Sequence, residues 1–536
     1  MQRSGFSRRD FLQRLSAAGG AAAVYQGMHA LGWLHDPPAY AGPPRLAAPT
    51  RSNAHVAVLG AGIAGLVSAY ELSRAGYRVT VLEARERPGG RAFTVRRGSL
   101  IEERDSRQRV TWDDDPELYF DAGAARLPQH HQGILGYARD LDVRLEVLSN
   151  HNLAGWLQTS KAFEGRAQRN QRIRADARGF VAELAAKAVD QAVLADPLSE
   201  DDKEKLRGFL KVFGALEPRD GRLVYRGSPR NGYREWPSAG REAGVPHEPL
   251  DLRQLWNASF WQRLYDAEES PVQVPTMLRP VGGMSKISEA LARVLGHRVH
   301  YGAEITRLRR KEAGGGRVEW HDLRTGQNSA LDADYVIVTI QPGLLADLDQ
   351  DFAPQVRQAL AAPTGTPLAK VAFQAEHRFW ELDDQIYGGI SWTDHPITQI
   401  WYPSNAIHAE KGILVGAYVF TEGEQFAQYS PAERIELALA GGELIHPGRY
   451  RKHVTQGVSV SWRKLKYASG ATTHWTEEAR QQHYPTLLEA DGPYYFAGEY
   501  LSYVNGWQEG AVRSAHHAVE KLAVAEAARV KNRGRP

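Results

Sequence analysis

Three glycines and one carboxylate have the types and the spacing that bind a dinucleotide. The glycines lie in the run Gly60-Ala61-Gly62-Ile63-Ala64-Gly65, and Glu83 follows about 20 residues later. In this pattern the first glycine makes a tight turn, the second lets the backbone approach a pyrophosphate, and the third lets a helix pack closely on a sheet. The carboxylate accepts hydrogen bonds from a ribose. The motif therefore predicts a dinucleotide site, for either NAD or FAD.

The elements that must position these residues follow from the apolar pattern around them. Val56–Leu59 is an apolar run typical of a strand covered on both faces. Leu66–Ala75 has the apolar spacing of a helix that stops at Gly76, and Arg78–Leu82 is a second strand that carries Glu83 at its end. The N-terminus of the helix would face the phosphates with free amide groups and the positive end of its dipole. These elements predict an α/β fold built on a Rossmann-like unit.

The residues after Glu83 distinguish the two cofactors. Ala84-Arg85-Glu86-Arg87-Pro88-Gly89-Gly90-Arg91 resembles the E-A-R-x-x-x-G-G-R extension of the flavin amine oxidase family. The resemblance implies FAD, with the Gly89-Gly90 pair letting a loop cross the cofactor and Arg91 contacting its pyrophosphate. The chain contains no cysteine, which excludes the cysteinyl link to flavin that some amine oxidases use. We therefore expect non-covalent FAD, no disulfide, and no cysteine-based metal site.

A second motif implies what the flavin acts on. Arg126 stands directly before Leu127-Pro128, in a segment that resembles the G-x-M-R-(L/I)-P-x-x-H signature of L-amino acid oxidases, with Ala125 in place of the usual methionine. The resemblance implies that Arg126 binds the substrate carboxylate, which suits a planar guanidinium that can hold a carboxylate through two hydrogen bonds. Without the signature, an arginine here would be read as part of a structural ion pair. His131 occupies the position of the signature histidine, and a capping or packing role fits it equally well.

Two residues in the second half of the chain complete the implied chemistry. Lys370 opens an apolar strand, where a buried ammonium needs a partner. In L-amino acid oxidases and related amine oxidases a lysine at this point holds a water against flavin N5, and a solvated lysine at a strand edge is the alternative. Tyr418 ends the strand Gly412–Tyr418, which resembles the strand whose tyrosine donates to the substrate carboxylate, although strand tyrosines are more often core residues.

The segment Tyr494–Gly510 resembles the closing signature of the family, a strand, a loop and the start of a helix. The dipole of that helix would point at the N1/O2 edge of the flavin, where negative charge develops on reduction. In the oxidases the backbone carbonyl at the position of Gly506 takes the substrate amine, and Trp507 forms one wall of an aromatic cage. Ile305 would lie beside the adenine and Trp462 near the benzenoid edge of the flavin. The implied cofactor contacts are Gly60, Gly62, Ile63, Ala64, Gly65, Glu83, Ala84, Arg85, Gly90, Arg91, Ala124, Ala125, Arg126, Ile305, Trp462, Gly498, Glu499, Trp507 and Gln508.

The length of the chain, 536 residues, predicts two or three lobes rather than one core. We expect a discontinuous FAD-binding domain (53–105, 276–345 and 485–525), a substrate-binding domain on a mixed sheet (106–162 and 346–484), and a helical lobe (163–275). Within the lobe, Pro229–Pro249 is predicted to be a long loop. Tyr225–Tyr233 resembles a motif of the family, and the sequence does not indicate its role. Further predicted elements are a helix at Lys286–Leu295 and strands at Val299–Tyr301, Glu304–Leu308 and Asp334–Ile340.

The N-terminal forty residues are interpreted as a targeting segment. Ser7-Arg8-Arg9-Asp10-Phe11-Leu12 resembles the twin-arginine export motif, and Ala39-Tyr40-Ala41 offers a cleavage site before Gly42. Residues 1–41 are thus predicted to be a signal peptide, and the mature protein to be periplasmic or secreted. Gly, Gln and His interrupt the apolar stretch, which argues against a membrane anchor. The net charge of +3, with both signs interspersed, gives no support for nucleic-acid binding.

The resemblance implies an L-amino acid oxidase, because Arg126 and Tyr418 would have no carboxylate to bind on a simple amine. A hydride would pass from the substrate Cα to flavin N5, and the products would be a 2-oxo acid, ammonia and, after reoxidation by O2, H2O2. The alternatives are an amino-acid 2-monooxygenase of the tryptophan or lysine type, a monoamine or polyamine oxidase, and a flavoprotein that oxidises no amine. An aromatic cage led by Trp507 suits a large apolar side chain, whereas Glu509 or an acidic residue from the helical lobe could select arginine or lysine. Family members commonly form homodimers or larger homo-oligomers.

Overall fold

The computed structural model describes residues 40, 42–50, 53–191, 198–260, 269–273, 275–420 and 423–533. The elements below all belong to one unit, which begins at Pro44. The predicted signal peptide, residues 1–41, lies outside the described residues except for Tyr40. In the part of the chain that is described, no helix combines the length and apolar character needed to cross a membrane.

A five-stranded parallel sheet, built from separate parts of the chain, is one of the two largest sheets of the fold. Neighbouring strands pair in parallel throughout, so all their carboxyl ends meet at one edge. The strand that precedes the glycine motif is the central one. In spatial order the strands are Val299–Tyr301, Arg78–Glu83, His55–Leu59, Tyr335–Val338 and Tyr494–Phe496.

The α-helices are numbered here in chain order. They are α1 (Ile63–Arg74), α2 (Gln132–Asp140), α3 (Asn170–Asp190), α4 (Glu200–Gly214), α5 (Leu252–Ala258), α6 (Ser285–Leu295), α7 (Pro342–Leu345), α8 (Pro354–Ala361), α9 (Phe379–Leu382), α10 (Gly423–Gln428), α11 (Pro431–Ile445), α12 (Tyr450–His453), α13 (Glu477–Leu488) and α14 (Gln508–Arg533).

Both faces of the parallel sheet are buried. Val56 and Val58 belong to a core shared with α1, α6 and α14, whereas Ala57 and Leu59 belong to a second core shared with α8 and α13. Successive side chains of a strand point to opposite faces, so an uninterrupted apolar run is what a sheet covered on both sides requires. The predicted strand of the glycine motif is confirmed within one residue and its helix within three residues.

The other large sheet of the fold has seven strands of mixed direction. In its strand Ala369–Ala375, the side chains of Val371 and Phe373 enter one core, and Ala372 enters the core on the opposite face. Lys370 shares the face of Ala372 by alternation, and it pairs in register with Tyr418. In spatial order the strands are Gln168–Arg169, Trp156–Gln158, Gly389–Thr393, Gln399–Tyr402, Gly412–Val419, Ala369–Ala375 and Val454–Ser461.

The remaining strands form smaller sheets. A four-stranded sheet lies over one face of the parallel sheet and contains Ile305. The strands of these smaller sheets are Asn328–Ala333, Gly316–Asp322, Ala303–Arg310 and Asp349–Gln350; Leu127–Pro128, Met277–Pro280 and Leu145–Leu148; and the pairs Thr94–Arg96 with Tyr119–Asp121, Leu100–Glu102 with Arg107–Arg109, Glu217–Arg219 with Arg222–Val224, Tyr233–Glu235 with Val245–Pro246, and Thr364–Gly365 with Thr473–His474.

The motif at Tyr225–Tyr233 has a structural role in the helical lobe. The buried carboxylate of Asp176 on α3 accepts hydrogen bonds from Tyr225 Oη at 2.6 Å, Asn231 Nδ2 at 3.1 Å and the Leu250 amide at 2.8 Å. Burial raises the pKa of Asp176, and these three donors oppose that shift. The segment therefore ties α3 to the chain that returns from the lobe. The expectation that Pro229–Pro249 is a plain loop is wrong in part, because Tyr233–Glu235 and Val245–Pro246 pair as a short hairpin.

Candidate functional site

A cavity of about 600 Å³ opens at the edge where the carboxyl ends of the parallel strands meet. Gly60, Glu83, Thr339 and Gly498, which follow or end neighbouring strands of that sheet, all line it. Ligands of open α/β sheets bind outside the carboxyl ends of the strands, because the turns there are free to vary and helix N-termini point toward them. The position of the cavity is therefore set by the sheet topology.

The three glycines of the motif are required for three different reasons, which are the backbone angle of Gly60, the open space beside Gly62 and the close packing at Gly65. Gly60 has a φ of +104°, in the region that favours glycine. A Cβ atom built on Gly62 meets nothing within 4 Å and would project into open space, whereas a Cβ on Gly65 would lie 2.0 Å from the Gly60 carbonyl oxygen. Gly65 does not line the cavity. It allows α1 to approach the strand, which leaves Gly60 and Gly62 to form the cradle.

Glu83 holds the cradle in place. Its Oε2 accepts a hydrogen bond of 2.7 Å from the Ala61 amide, and its Oε1 accepts one of 2.9 Å from the Arg85 amide. A carboxylate has about four acceptor positions, so Glu83 keeps capacity for the hydroxyls of a ribose while it fixes the glycine turn. Arg85 is anchored in turn by donating to the carbonyls of Lys466 and Tyr467.

Arg91 and Glu499 form an ion pair at the wall of the cavity. Arg91 Nη1 donates to Glu499 Oε1 at 2.6 Å and to the Ala471 carbonyl at 3.1 Å. The other oxygen of Glu499 accepts from the Gly506 amide at 2.9 Å. The loop that carries Gly506 and Trp507 is therefore tied through one carboxylate to the arginine expected at the pyrophosphate.

The side chain of Gln508 has unused hydrogen-bonding capacity at the cavity. Gln508, the first residue of α14, lines the cavity, and among the described residues both polar atoms of its side-chain amide are buried without a partner. The N-terminus of α14 thus lines the same cavity as the N-terminus of α1. Buried polar groups are almost always paired, so an orphaned amide beside an open cradle indicates a bound polar ligand.

The guanidinium of Arg126 also faces the cavity without a carboxylate. Its Nη2 donates to Gln273 Oε1 at 2.8 Å, and its Nε is buried without a partner. Among the described residues it forms no ion pair, and its Cζ lies 4.7 Å from the ring of Trp401 and 5.8 Å from that of Trp507. Burial lowers the pKa of Arg126, which nevertheless remains charged at neutral pH. A buried guanidinium without a counter-charge has the charge and the free donors to pair with an anionic group.

Tyr418 lies on the same wall of the cavity. Its ring is buried against Trp401, with centroids 5.2 Å apart, and within the described part of the chain its phenolic oxygen has no hydrogen-bond partner. Burial raises the pKa of the phenol to about 12, against the pull of the Arg126 charge. Tyr418 is therefore a neutral hydrogen-bond donor beside a cation.

Lys370 lies behind this wall and is not among the residues that line the cavity. Its Nζ donates to the carbonyl oxygens of Asp121 at 2.7 Å and of Gly123 at 2.8 Å, and it lies 4.3 Å from the centroid of the Tyr418 ring. Gly123 does line the cavity. The ammonium has one further proton to donate. It lies behind the turn at Gly123 and does not itself reach the cavity, so a water that it holds would lie between the ammonium and the cavity.

Trp462 occupies a similar position, one layer behind the cavity. The indole is fully buried, and its Nε1 donates to the Ala122 carbonyl at 2.8 Å. A Cβ on Gly123 would come within 2.8 Å of the Trp462 ring. The tryptophan therefore supports the turn between Ala122 and Arg126. Of the expected site residues, all but Gly65, Lys370 and Trp462 line the cavity directly.

Sequence reasoning missed several residues of the cavity. Thr339 Oγ1 donates to the Leu59 carbonyl at 2.7 Å, next to the glycine cradle. It lies near the carboxyl end of the predicted strand Asp334–Ile340 and directly follows the observed strand Tyr335–Val338, so the rule that sites lie at the carboxyl ends of parallel strands could have found it. Gln273, the hydrogen-bond partner of Arg126, lies in a segment without a recognisable pattern. No group of acidic residues and histidines able to hold a metal occurs in the described part of the chain.

Comparison with known sequences gives a consistent result. The family model described as flavin containing amine oxidoreductase matches residues 63–523. An L-amino-acid oxidase of Siganus canaliculatus is 27% identical over 87% of this chain and 85% of its own length. A putative L-amino-acid oxidase of Bacillus subtilis, YobN, is 26% identical over 86% of this chain and 92% of its own length.

Comparison with solved structures supports the fold. A putrescine oxidase bound to putrescine superposes with a TM-score of 0.56 at 18% identity, over 89% of this chain and 99% of the other. A cyclohexylamine oxidase from Brevibacterium oxydans gives a TM-score of 0.56 at 17% identity, over 89% of this chain and all of the other. At such low identity these similarities establish the architecture only.

Proposed function

The chain belongs to the flavin-containing amine oxidoreductase family, and from this premise we propose that it is an FAD-dependent L-amino acid oxidase. In this proposal FAD binds non-covalently, and O2 is the electron acceptor. The substrate is an L-amino acid, and the products are a 2-oxo acid, ammonia and H2O2. The relatives named as L-amino-acid oxidases support the choice of substrate class within the family.

The observation that carries the proposal is the guanidinium of Arg126. It lies in the cavity with its Nε unpaired, Tyr418 beside it as a neutral donor, and no acidic side chain paired with it among the residues described. A simple amine would leave this cation without a counter-charge, whereas an amino acid brings the carboxylate that pairs with it.

The residues divide the work between cofactor and substrate. Gly60, Gly62, Glu83 and Arg91 would hold FAD, with Gln508 at its other end. Bound FAD would supply the acceptor for the hydride that leaves the substrate Cα. The protein orients the amino acid by its carboxylate through Arg126 and Tyr418 and surrounds it with aromatic side chains that exclude water. No side chain need act as a strong base, because the amine that reacts is the neutral form.

A peroxide-coupled screen of the twenty L-amino acids and of amines that lack a carboxylate tests the proposal. We expect H2O2 and a 2-oxo acid from L-amino acids and little turnover of the amines. An amide with release of CO2 would identify an amino-acid 2-monooxygenase, and preferential turnover of amines would identify a monoamine or polyamine oxidase. A yellow protein that yields no H2O2 from any of them would be a flavoprotein without oxidase activity.

The substitution Lys370→Met is expected to slow reduction or reoxidation of the flavin with little change in substrate affinity. Burial lowers the pKa of the Lys370 ammonium to about 7, against the attraction of Asp121. The ammonium therefore loses its proton as the pH rises through 7, and its hydrogen bonds to Asp121 and Gly123 weaken. The contribution of Lys370 to the rate should be present below pH 7 and fall above it. Stopped-flow measurement of both half-reactions over a pH series checks this.

The ratio of wild-type to variant rate isolates this titration, because ionisation of the substrate amine affects both proteins equally. The exposed Lys452→Met is the matched control and should leave the ratio at one. Wild-type rates for Lys370→Met at every pH would show that Lys370 takes no part in either step.

Export and assembly complete the proposal. Residues 1–41 are proposed to direct the folded protein through the twin-arginine route to the periplasm or the medium, so the exported protein should begin at Gly42 by N-terminal sequencing.

A homodimer or larger homo-oligomer is proposed by analogy with the family, and light scattering of the purified protein measures its mass.

A further inference from the structure

A second cavity, of about 330 Å³, adjoins the first. The two share Asn505 and Trp507 in their walls, so the ring of Trp507 stands between them. On one side of this ring is Arg126, whose Cζ lies 5.8 Å from the ring centroid. On the other side is His131, whose ring lies edge-on at 5.1 Å. The two cavities are therefore separated by one side chain, and a molecule held by Arg126 would have to pass the edge of the Trp507 ring to reach the second cavity.

His131 is the group in this cavity that most needs a partner. His131 is 1% exposed, and within the described part of the chain both ring nitrogens are buried without a hydrogen bond. It stands at the N-cap position of α2 but makes no side-chain cap. Burial, with the neighbouring charges of His130 and Arg513, lowers the pKa of His131 to about 3. The imidazole is therefore neutral at physiological pH and offers one donor and one acceptor to a ligand.

The charges that line the second cavity are already compensated. Glu509 is fully buried, and its carboxylate accepts from the amides of Gly133 at 3.2 Å and Ile134 at 2.9 Å. It also accepts from Arg513 Nε at 2.8 Å. These contacts occupy three of about four acceptor positions of the carboxylate, and Arg513 already pairs with its charge. A cationic substrate side chain would have to compete with Arg513 for Glu509, which disfavours the expectation that Glu509 selects arginine or lysine.

We propose that the second cavity is the subsite for the substrate side chain, and that His131 makes it selective for an uncharged aromatic ring that carries a hydrogen-bonding group, such as a phenol or an indole. This inference rests on the proposed function. The aromatic ring would lie against Trp507, and its polar group would pair with an imidazole nitrogen that is otherwise orphaned. A plain phenyl ring would fill the same space but leave both nitrogens of His131 unpaired. The subsite would therefore bind a phenol or an indole more tightly than a phenyl ring.

The test compares L-tyrosine with L-phenylalanine, which differ by one hydroxyl. In the wild-type holoenzyme we expect kcat/KM to be at least about tenfold higher for L-tyrosine. In His131→Phe, which keeps an aromatic edge against Trp507 but has no polar atom, this ratio should fall to about one, with kcat/KM for L-phenylalanine little changed. His131→Gln should restore part of the ratio, because its amide again offers a donor and an acceptor.

His297→Phe is the matched control. His297 is exposed and is not among the residues that line either cavity. The control should therefore keep the preference for L-tyrosine. An equal loss of kcat/KM for all amino acids in His131→Phe, or a wild-type preference for L-arginine or L-lysine, would overturn the subsite.

A binding measurement separates this inference from the proposed function. Isothermal titration of the holoenzyme with 3-(4-hydroxyphenyl)propanoate and 3-phenylpropanoate requires no turnover. The hydroxylated acid should bind more tightly to the wild type, and the two should bind equally to His131→Phe. If no amino acid yields H2O2, the proposed function fails whatever the titration shows. If amino acids are oxidised but the two acids bind the wild type equally, only the subsite fails.

Discussion

Arg126→Ala is expected to lower kcat/KM for L-amino acids by about 10²–10³-fold, which corresponds to about 3–4 kcal/mol. The substitution removes the cation that would pair with the substrate carboxylate in a site partly shielded from water. Truncation of one partner of a buried, hydrogen-bonded charge pair typically costs this much, because the other charge is left unpaired. The loss should be mainly in KM, since the clamp holds the substrate before and during the reaction.

The measurement is steady-state kinetics on an amino acid and on the amine that corresponds to it without the carboxylate. The amine has no group for Arg126 to hold, so its weak turnover should not fall further in the variant. Arg126→Lys keeps the charge but cannot form two parallel hydrogen bonds, and it should fall between wild type and alanine. The flavin content should be equal in all three proteins. Unchanged kinetics in Arg126→Ala would contradict the carboxylate assignment and leave an amine as the substrate.

Gly62→Ala and Gly65→Ala are expected to fail in different ways although they lie three residues apart. Alanine at Gly62 fits the backbone, which has a φ of −71°, and its methyl group meets no protein atom within 4 Å. It would instead occupy the space that the dinucleotide needs, so the protein should fold and bind little flavin. Alanine at Gly65 would place its methyl group 2.0 Å from the Gly60 carbonyl. It must push α1 away from the sheet, at a cost we expect to exceed the roughly 1–3 kcal/mol typical of overpacked cores.

Two observables distinguish these outcomes. Flavin absorbance of the purified protein reports cofactor content, and thermal unfolding of the flavin-free protein reports stability without the contribution of the ligand. Gly62→Ala should lose the absorbance but unfold at the temperature of the flavin-free wild type. Gly65→Ala should lose both stability and flavin. A Gly62→Ala protein with full flavin content would show that the cradle is not the pyrophosphate site.

The sequence by itself determined the dinucleotide-binding unit. The glycine spacing, the apolar strand Val56–Leu59 and the carboxylate of Glu83 predict strand, turn, helix and second strand, and the structure contains them as His55–Leu59, Ile63–Arg74 and Arg78–Glu83. Such a unit is predictable because its residues interact over short separations. The apolar periodicity, the turn glycines and the helix termination all act on neighbours along the chain.

The tertiary structure decided what the side chains of the site are free to do. Arg126 and Gln273 meet across 147 positions, and Glu509 meets Gly133 across 376. Lys370 reaches the carbonyl of Gly123 across 247 positions. No local pattern encodes such contacts, because they depend on which sheet edge and which helix terminus the topology brings together. The sequence names the residues that could carry the chemistry. Only the folded chain shows that Glu509 is engaged and that, among the residues the structure describes, Arg126 has no counter-charge and the imidazole of His131 has no hydrogen-bond partner.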